Sequence, residues 1–272
     1  MPSPSIDGLQ RGYVIPIGGA EEKIDNPEIL RKFVELAGGR DAKICVIPTA
    51  SRLEDTGERY EILFKDLGAG SAYSLPIAER ADAQDESHLD LIEQATAIFI
   101  TGGNQLRLST ISGGTPVAKA IRQANARGAH VGGTSAGAAI ISQHMIAGGN
   151  VGIVPTEDGV SLAPGMGLIN TVVVDQHFNE RNRLARLLSA VSYNPFLVGI
   201  GLDEDTAAFI DADNVFTVIG SGAITVVDPS NIEYSSMAEA RRGEALTLLN
   251  LKVHILASGA RYDISNRVAQ ID

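Results

Sequence analysis

One serine sits in a pattern that is typical of a nucleophile. The segment HVGGTSAGAAIIS at positions 130–142 contains G-x-S-x-G as Gly133, Ser135 and Gly137. Between a buried strand and a helix of small residues, this pattern indicates a strained turn that exposes the serine oxygen and leaves backbone N–H groups free at the helix start. The competing interpretation is a close-packed glycine turn in which the serine has no chemical role.

A serine needs a general base, because its hydroxyl is a weak nucleophile until its proton is removed. The chain has five histidines, and His177 is best placed because it ends the apolar run TVVVDQH. Ligands bind at the carboxyl edge of open parallel sheets, where we also expect Ser135. The other histidines fit structural roles, with His88 opening a helix, His130 starting a strand, His144 further along the helix that follows the serine, and His254 within a strand.

The histidine in turn needs an acid that orients it and stabilises its protonated form. The run GIGLDEDTAAF supplies Asp203, Glu204 and Asp205 directly after another predicted strand. Their spacing does not distinguish them, and solvated turn acids are the alternative. The chain order serine, histidine, acid differs from the order serine, acid, histidine of α/β-hydrolases. We therefore expect a different fold with similar geometry.

Two glycine-rich turns are candidates to supply N–H donors to an oxyanion. Ala136 contributes the N–H directly after the serine, and FITGGNQL places Gly102 and Gly103 after a second buried strand. An ordinary turn between a strand and a helix is the competing interpretation of this glycine pair.

Three basic side chains follow the candidate base in FNERNRLARLL, at Arg181, Arg183 and Arg186. We expect them in the first turns of a helix, where the helix dipole disfavours positive charge. A bound carboxylate would resolve this conflict, because guanidinium groups bind carboxylates in bidentate fashion. Pairing with Glu180 and other surface acids is the alternative. The aspartate and glutamine directly before the histidine are expected to contact a cationic or amide part of the same ligand.

The elements that must position these residues alternate along the chain. YVIPI, KICVIPT, TAIFIT and AHVGGT read as strands, and NPEILRKFVELAG, GERYEILFKDLG and PVAKAIRQANARG read as helices. This alternation predicts a three-layer α/β/α sandwich with a mostly parallel central sheet. Runs such as NVFTVIG and AITVVDP in the tail predict short antiparallel strands that extend the same sheet. We expect residues 1–272 to form a single domain, with residues 1–10 as a flexible amino-terminal arm.

Composition restricts the class of function. The chain has 272 residues, of which 44% are hydrophobic, and a formal net charge of -11. The acidic balance argues against a broad nucleic-acid-binding surface. Cys45 is the only cysteine, so we expect no internal disulfide and no cysteine-based metal site. The chain begins without a basic, then apolar, leader, and no apolar run reaches about 18 residues. We therefore expect a cytoplasmic protein without a membrane segment.

Four motifs together resemble the cyanophycinase family of serine peptidases, namely IPIGGAEEK, FITGGNQLRL, GGTSAGAAIIS and DQHFNERNRLARL. The similarity runs from about Gly12 to the last predicted strands, and DQHFNERNRLARL is its most specific part. The resemblance implies a glutamine-amidotransferase-like α/β fold. It also implies cleavage of cyanophycin, a poly-aspartate whose β-carboxyls carry arginine, with release of β-aspartyl-arginine dipeptides through an acyl-enzyme.

The resemblance also implies a role for each matching residue. Ser135 matches the nucleophile, His177 the base and Glu204 the acid. The residues that match the substrate pocket of the family are Gln105, Asp175, Gln176, Arg181, Arg183 and Arg186. Members of the family are typically homodimers and use no metal or other cofactor.

Two other functions fit the same residues. An α-aspartyl dipeptidase of the same superfamily would share the serine turn, although DQHFNERNRLARL argues against it. A non-catalytic binding protein would keep the fold and the pocket. Nucleotide binding is disfavoured, because IPIGGAEEK lacks both the P-loop spacing and a full G-x-G-x-x-G.

Overall fold

Short apolar runs form strands and the longer segments between them form helices in the computed structural model, which describes residues 1–149 and 152–271. The helices are α1 (Glu28–Leu36), α2 (Thr56–Asp66), α3 (Ser87–Gln94), α4 (Gln105–Ser112), α5 (Pro116–Ala126), α6 (Ala136–Ile141) and α7 (Leu184–Tyr193). The strands in the first half are β1 (Val14–Ile17), β2 (Lys43–Ile47), β3 (Ser71–Ser74), β4 (Ala97–Ile100), β5 (His130–Thr134), β6 (His144–Gly149), β7 (Val160–Pro164) and β8 (Val172–Gln176). The remaining strands are β9 (Val198–Leu202), β10 (Thr206–Ile210), β11 (Val215–Gly220), β12 (Ala223–Asp228), β13 (Tyr234–Ser235), β14 (Leu248–Leu249), β15 (Lys252–Ala257), β16 (Arg261–Asp263) and β17 (Val268–Gln270).

The main sheet has the strand order β17-β16-β11-β10-β1-β5-β4-β2-β3. The five neighbouring strands β1, β5, β4, β2 and β3 pair in parallel. Antiparallel pairs then extend the sheet beyond β1 through β10, β11, β16 and β17. Successive side chains of a strand point to opposite faces, so Val46 packs against α1 and α2 while Cys45 and Ile47 pack with α3, α4, α5 and α6. The predicted three-layer α/β/α arrangement with an antiparallel extension is confirmed.

A second sheet, in the order β15-β12-β9-β8, contains two further tail strands, and β13 and β14 pair with each other in a small separate sheet. The expectation that all tail strands extend the main sheet is therefore wrong for β12, β13, β14 and β15. The physical reason is the turn at residues 203–205, which carries the chain from β9 in the second sheet to β10 in the main one. β12 then returns to pair with β9, and β15 pairs with β12.

Helix α6 joins the two sheets. It contacts β5 and β1 of the main sheet and β8 of the second, and all of its residues are buried. Small residues make this possible, since a Cβ on Gly137 would lie 2.1 Å from the carbonyl oxygen of Ile100. The carboxyl ends of β5 and β8 therefore meet although they belong to different sheets.

Two helix boundaries differ from those the sequence predicts. Helix α6 ends at Ile141, so His144 begins β6 and is not on the helix surface. Ser142 is extended and its hydroxyl bonds to the carbonyls of Ala139 and His144, which ends the helix. Helix α7 begins only at Leu184, because a left-handed residue at 182 precedes it.

The apolar core argues for one folding unit. A single cluster of buried residues includes Val14 of β1, Ile140 of α6, Ile200 of β9 and Val226 of β12, so both sheets contribute to it. We therefore propose that the chain forms one domain. Residues 1–10 contain no helix or strand, and the flexibility expected of this arm stays a prediction. None of the helices in the described part of the chain has the length and apolar character needed to cross a bilayer.

Candidate active site

Ser135 occupies the sharp turn between β5 and α6. Its backbone has φ +52° and ψ -108°, a conformation that is rare for residues with a side chain and is found at functional turns. Gly133 can only be glycine, because a Cβ there would lie 2.3 Å from the carbonyl oxygen of Gly137. The Ser135 N–H donates to the carbonyl of Ile17 in β1 at 3.0 Å. This is the geometry that the G-x-S-x-G spacing predicts.

His177 lies directly after β8 with one ring nitrogen toward the serine. Its Nε2 is 2.8 Å from Ser135 Oγ, and its Nδ1 is 2.6 Å from Glu204 Oε1. The histidine side chain is 11% exposed and that of Glu204 is 37% exposed. Serine, histidine and glutamate therefore form one hydrogen-bonded line whose acid end reaches solvent.

Only one of the three neighbouring acids contacts the histidine. The Asp203 carboxylate accepts hydrogen bonds from the backbone N–H of Asn179 at 3.2 Å and from its side-chain amide at 2.9 Å. The Asp205 carboxylate accepts from a backbone N–H of the loop after β1 and from a serine hydroxyl. Glu204 is thus the acid that faces His177, a distinction that sequence spacing does not make.

The remaining histidines lie away from the serine and have other contacts. The His130 ring accepts a hydrogen bond from the Tyr13 N–H at 3.0 Å, and burial lowers the pKa of its imidazole. The other three contact a backbone carbonyl or an aromatic ring, with His88 at Asp82, His144 at Phe196 and His254 at Tyr262.

Two backbone N–H groups beside the serine are free to bind an oxyanion. Within the described residues, the N–H groups of Gly103 and Ala136 have no hydrogen-bond acceptor. Gly103 has φ +144°, and a Cβ there would lie 2.1 Å from the carbonyl oxygen of Ala50. Gly102 approaches Ser135 closely, since a Cβ on it would be 3.4 Å from the serine Cβ. Both glycines therefore allow this loop to reach the serine.

Two of the three predicted arginines are buried against Asp175 in β8. Arg186 binds both oxygens of that carboxylate, with Nε at 2.8 Å from Oδ2. Arg183 donates to the backbone and side-chain oxygens of Gln176 and lies 3.4 Å from Asp175. Burial lowers the pKa of Arg183 to about 10, which Asp175 partly offsets, so it stays charged at neutral pH. The partner of these arginines is therefore Asp175 and not the surface acid Glu180.

The arginines occupy different positions from those expected on a helix. Arg181 is exposed in the turn before α7, Arg183 directly precedes the helix, and only Arg186 lies in its first turn. A cavity of about 760 Å³ opens beside Arg183 and is also lined by Asn179 and Asn182. The Nε atom of Arg183 is buried and has no partner among the described residues.

Strand β6 lies between Gln105 and Arg186 and contacts both side chains. The Gln105 side-chain amide at the start of α4 donates to the carbonyl oxygens of Ala147 at 3.0 Å and Ile146 at 3.4 Å. Gly149 in the same strand lies against Arg186, where a Cβ would be 2.6 Å from the arginine Cδ. Gln105 and Arg186 therefore both contact β6.

The loop after β1 is a part of the site that sequence reasoning did not assign. A Cβ on Gly19 would lie 2.4 Å from His177 Cε1, and the Gly18 carbonyl accepts the His177 N–H at 2.8 Å. Glu21 in the same loop is buried. The available signal was a glycine pair directly after a buried strand, at the edge where ligands bind.

Comparison with known proteins identifies the family. The model of peptidase family S51 matches residues 14–218. The chain belongs to peptidase family S51. It is 46% identical over 256 residues to a cyanophycinase of Geminocystis herdmanii, which covers 93% of this chain and 94% of that protein. It is 43% identical over 262 residues to a cyanophycinase of Synechococcus elongatus, with 96% and 81% covered.

Two solved structures of peptidases have a fold similar to that of this chain. A peptidase from an acI-B1 Actinobacterium matches with a TM-score of 0.63 and 23% identity, over 91% of this chain and 98% of the other. A putative peptidase E from Listeria monocytogenes matches with a TM-score of 0.55 and 19% identity, over 78% and 100%. At these identities the likeness establishes the fold alone.

The contact between Gly19 and the imidazole predicts the effect of one added methyl group. Gly19→Ala should displace the His177 ring and slow modification of Ser135 by a fluorophosphonate at least about 10-fold, because small misplacements of reacting groups have large effects on rate. The measurement is the second-order labelling rate. Gly68→Ala is the matched control, since Gly68 has φ +96°, close to the φ of +102° at Gly19, and a Cβ there meets nothing within 4 Å. Equal labelling rates for the Gly19 variant and wild type would contradict this reading of the contact.

Proposed function

We propose that this S51 peptidase is a cyanophycinase, a serine-type exopeptidase that hydrolyses the poly-aspartate backbone of cyanophycin and releases β-aspartyl-arginine dipeptides. The observation that carries the proposal is the identity of 43% to 46% with proteins named cyanophycinase over 93% to 96% of the chain. The hydrogen-bonded line from Ser135 through His177 to Glu204 supports it with the groups that peptide hydrolysis needs.

In the proposed mechanism His177 takes the proton of Ser135, and the serine oxygen attacks the backbone carbonyl of an aspartyl residue. Glu204 stabilises the imidazolium. The N–H groups of Gly103 and Ala136 bind the tetrahedral oxyanion. When the C–N bond breaks, the imidazolium protonates the leaving amine and an acyl-enzyme remains. Water, deprotonated by the same histidine, then releases the acyl group and restores the serine.

The pocket residues divide into a surface that meets substrate and a support behind it. Arg181 is exposed, and Arg183 borders the cavity. We propose that these two bind substrate carboxylate together with Gln105. Asp175 is 1% exposed and is engaged by Arg186. Its proposed role is to hold the arginines in place, and not to face a substrate guanidinium.

Gln176 belongs to the same support. Its side-chain oxygen accepts a hydrogen bond from Arg183, and the residue is buried in the last position of β8, directly before His177. We propose that it couples the orientation of the arginine to that of the strand end that presents the base.

The alternative functions are less well supported. An α-aspartyl dipeptidase is not favoured, because the relatives at 43% to 46% identity are named cyanophycinase. A non-catalytic binding protein does not need a serine oxygen 2.8 Å from a histidine that is itself paired with a carboxylate.

We further propose that the protein acts as a homodimer in the cytoplasm, on cyanophycin or its oligomers, without nucleic acid, membrane or metal partners. The family resemblance supports the dimer and the absence of a metal, and the net charge of -11 disfavours a polyanionic partner.

Incubation with insoluble cyanophycin tests the proposed activity. Wild-type protein should release aspartyl-arginine dipeptide. Ser135→Ala should release none above background, because the proposed mechanism has no other nucleophile. Mass spectrometry of the soluble products measures both. Dipeptide from both proteins would reject Ser135 as the nucleophile, and dipeptide from neither would reject the substrate.

Two substitutions distinguish the residue proposed to hold the arginines in place, Asp175, from one proposed to contact substrate, Arg181. Asp175→Asn should lower the free energy of unfolding by about 3 kcal/mol, because it leaves two buried guanidinium groups without their carboxylate. Arg181→Ala should change stability by less than about 0.5 kcal/mol, as is usual for exposed positions, and should raise KM for cyanophycin oligomers several-fold. Urea unfolding and steady-state kinetics measure these effects. An unchanged KM in the Arg181 variant would remove it from the substrate pocket.

A further inference from the structure

Glu21 is a buried carboxylate beside the catalytic turn that the proposed mechanism does not use. It lies in the loop after β1 and is 3% exposed. One carboxylate oxygen accepts from the Tyr60 hydroxyl at 2.6 Å and lies 3.0 Å from the Lys23 ammonium. The other accepts from the Thr134 hydroxyl at 2.5 Å. A buried carboxylate is costly unless it is paired and hydrogen-bonded, and these three donors meet that requirement.

The donor from Tyr60 is fixed by its surroundings. Burial, and next the charge of Glu21, raise the pKa of the phenol well above its usual range, so the hydroxyl keeps its proton. The Tyr60 ring packs against Phe99 and Phe64 with centroid distances of 5.0 and 6.0 Å. Glu21 is therefore attached to the aromatic core beneath the main sheet.

Thr134 connects this carboxylate to the nucleophile. It is the last residue of β5 and directly precedes Ser135. The β1–β5 register places it opposite Ile17, whose carbonyl accepts the Ser135 N–H. The turn is thus fastened at two points, by the backbone of β1 and by the side chain of Glu21. A residue with positive φ keeps its conformation only when its surroundings fix it.

The same loop also contacts the base. Gly18 accepts the His177 N–H and Gly19 lies against its ring. Residues 18–21 therefore touch the strand end that presents the serine and the histidine that must reach it. A shift of this loop would change the distance between Ser135 Oγ and His177 Nε2.

We propose that Glu21 is a positioning residue, which fixes the Ser135 turn through the Thr134 hydroxyl and so keeps the serine oxygen in reach of His177. This inference rests on the proposed function, in which Ser135 is the nucleophile. Glu21 contacts no reacting atom in this account. Its loss should therefore act on kcat and on the reactivity of the serine, and leave KM nearly unchanged.

The first test is Glu21→Gln. The amide oxygen of glutamine accepts from the Tyr60 hydroxyl, and its nitrogen meets Thr134 only by donating to the hydroxyl oxygen, so the charge-assisted hydrogen bond that holds the turn becomes a weaker, neutral one. The variant should lose about 10- to 100-fold in kcat on cyanophycin oligomers and should react with a fluorophosphonate more slowly by a similar factor. Glu28→Gln is the control, since Glu28 lies exposed at the start of α1, and it should match wild type in both measurements.

Variants of Thr134 test the connection itself. Thr134→Val removes the hydroxyl at nearly constant shape and should reproduce the loss in kcat, whereas Thr134→Ser keeps the hydroxyl and should restore most of it. If Glu21 acts through Thr134, the double variant Glu21→Gln, Thr134→Val should be no slower than the slower single variant. Multiplied effects in the double variant, or an effect on KM alone, would overturn the proposal.

The labelling rate separates this inference from the proposed function. If wild type reacts with the fluorophosphonate at Ser135 and folded Glu21→Gln reacts equally fast, the positioning role is overturned and the proposed function stands. If wild type neither reacts at Ser135 nor cleaves cyanophycin, the proposed function fails and the positioning role fails with it. If the Glu21 variant does not fold, the labelling rate of Thr134→Val is compared with that of wild type instead, and an equal rate again overturns the positioning role.

Discussion

A short helix of small residues, all of them buried, brings Ser135 and His177 into contact. Helix α6 lies between the main sheet and β8, and its glycine and alanines allow a close approach that larger side chains would prevent. Its amino terminus carries Ser135, and the end of β8 carries His177. The hydrogen bond between them thus depends on how tightly two separate sheets pack against one helix.

Two buried carboxylates, Asp175 and Glu21, lie near the contact between Ser135 and His177, and both have partners. Asp175 pairs with the two buried arginines, and Glu21 accepts hydrogen bonds from two hydroxyls and pairs with Lys23. Each buried charge has a partner, as the cost of desolvation demands. Among the described residues, the N–H groups of Gly103 and Ala136 beside Ser135 have no hydrogen-bond acceptor.

Sequence reasoning predicts the parts of this site that depend on local pattern. The G-x-S-x-G spacing predicts the turn at Ser135, and the end of an apolar run identifies His177. It does not distinguish Glu204 from Asp203, because that choice depends on which sheet each neighbouring strand joins. Sequence reasoning also predicts that α7 begins too early. The left-handed conformation of residue 182, which precedes the helix, does not disturb the spacing of apolar residues from which the helix is predicted. The role of Glu21 depends on contacts between residues far apart in sequence, which periodicity does not show.

The most direct test of the account is a crystal structure of the Ser135→Ala variant with a bound β-aspartyl-arginine oligomer. The account predicts a backbone carbonyl carbon beside position 135, with its oxygen about 3 Å from the nitrogens of Gly103 and Ala136, and a substrate carboxylate beside Arg181 and Arg183. An oligomer bound away from the His177 ring, or with its carbonyl oxygen turned from both N–H groups, would contradict it.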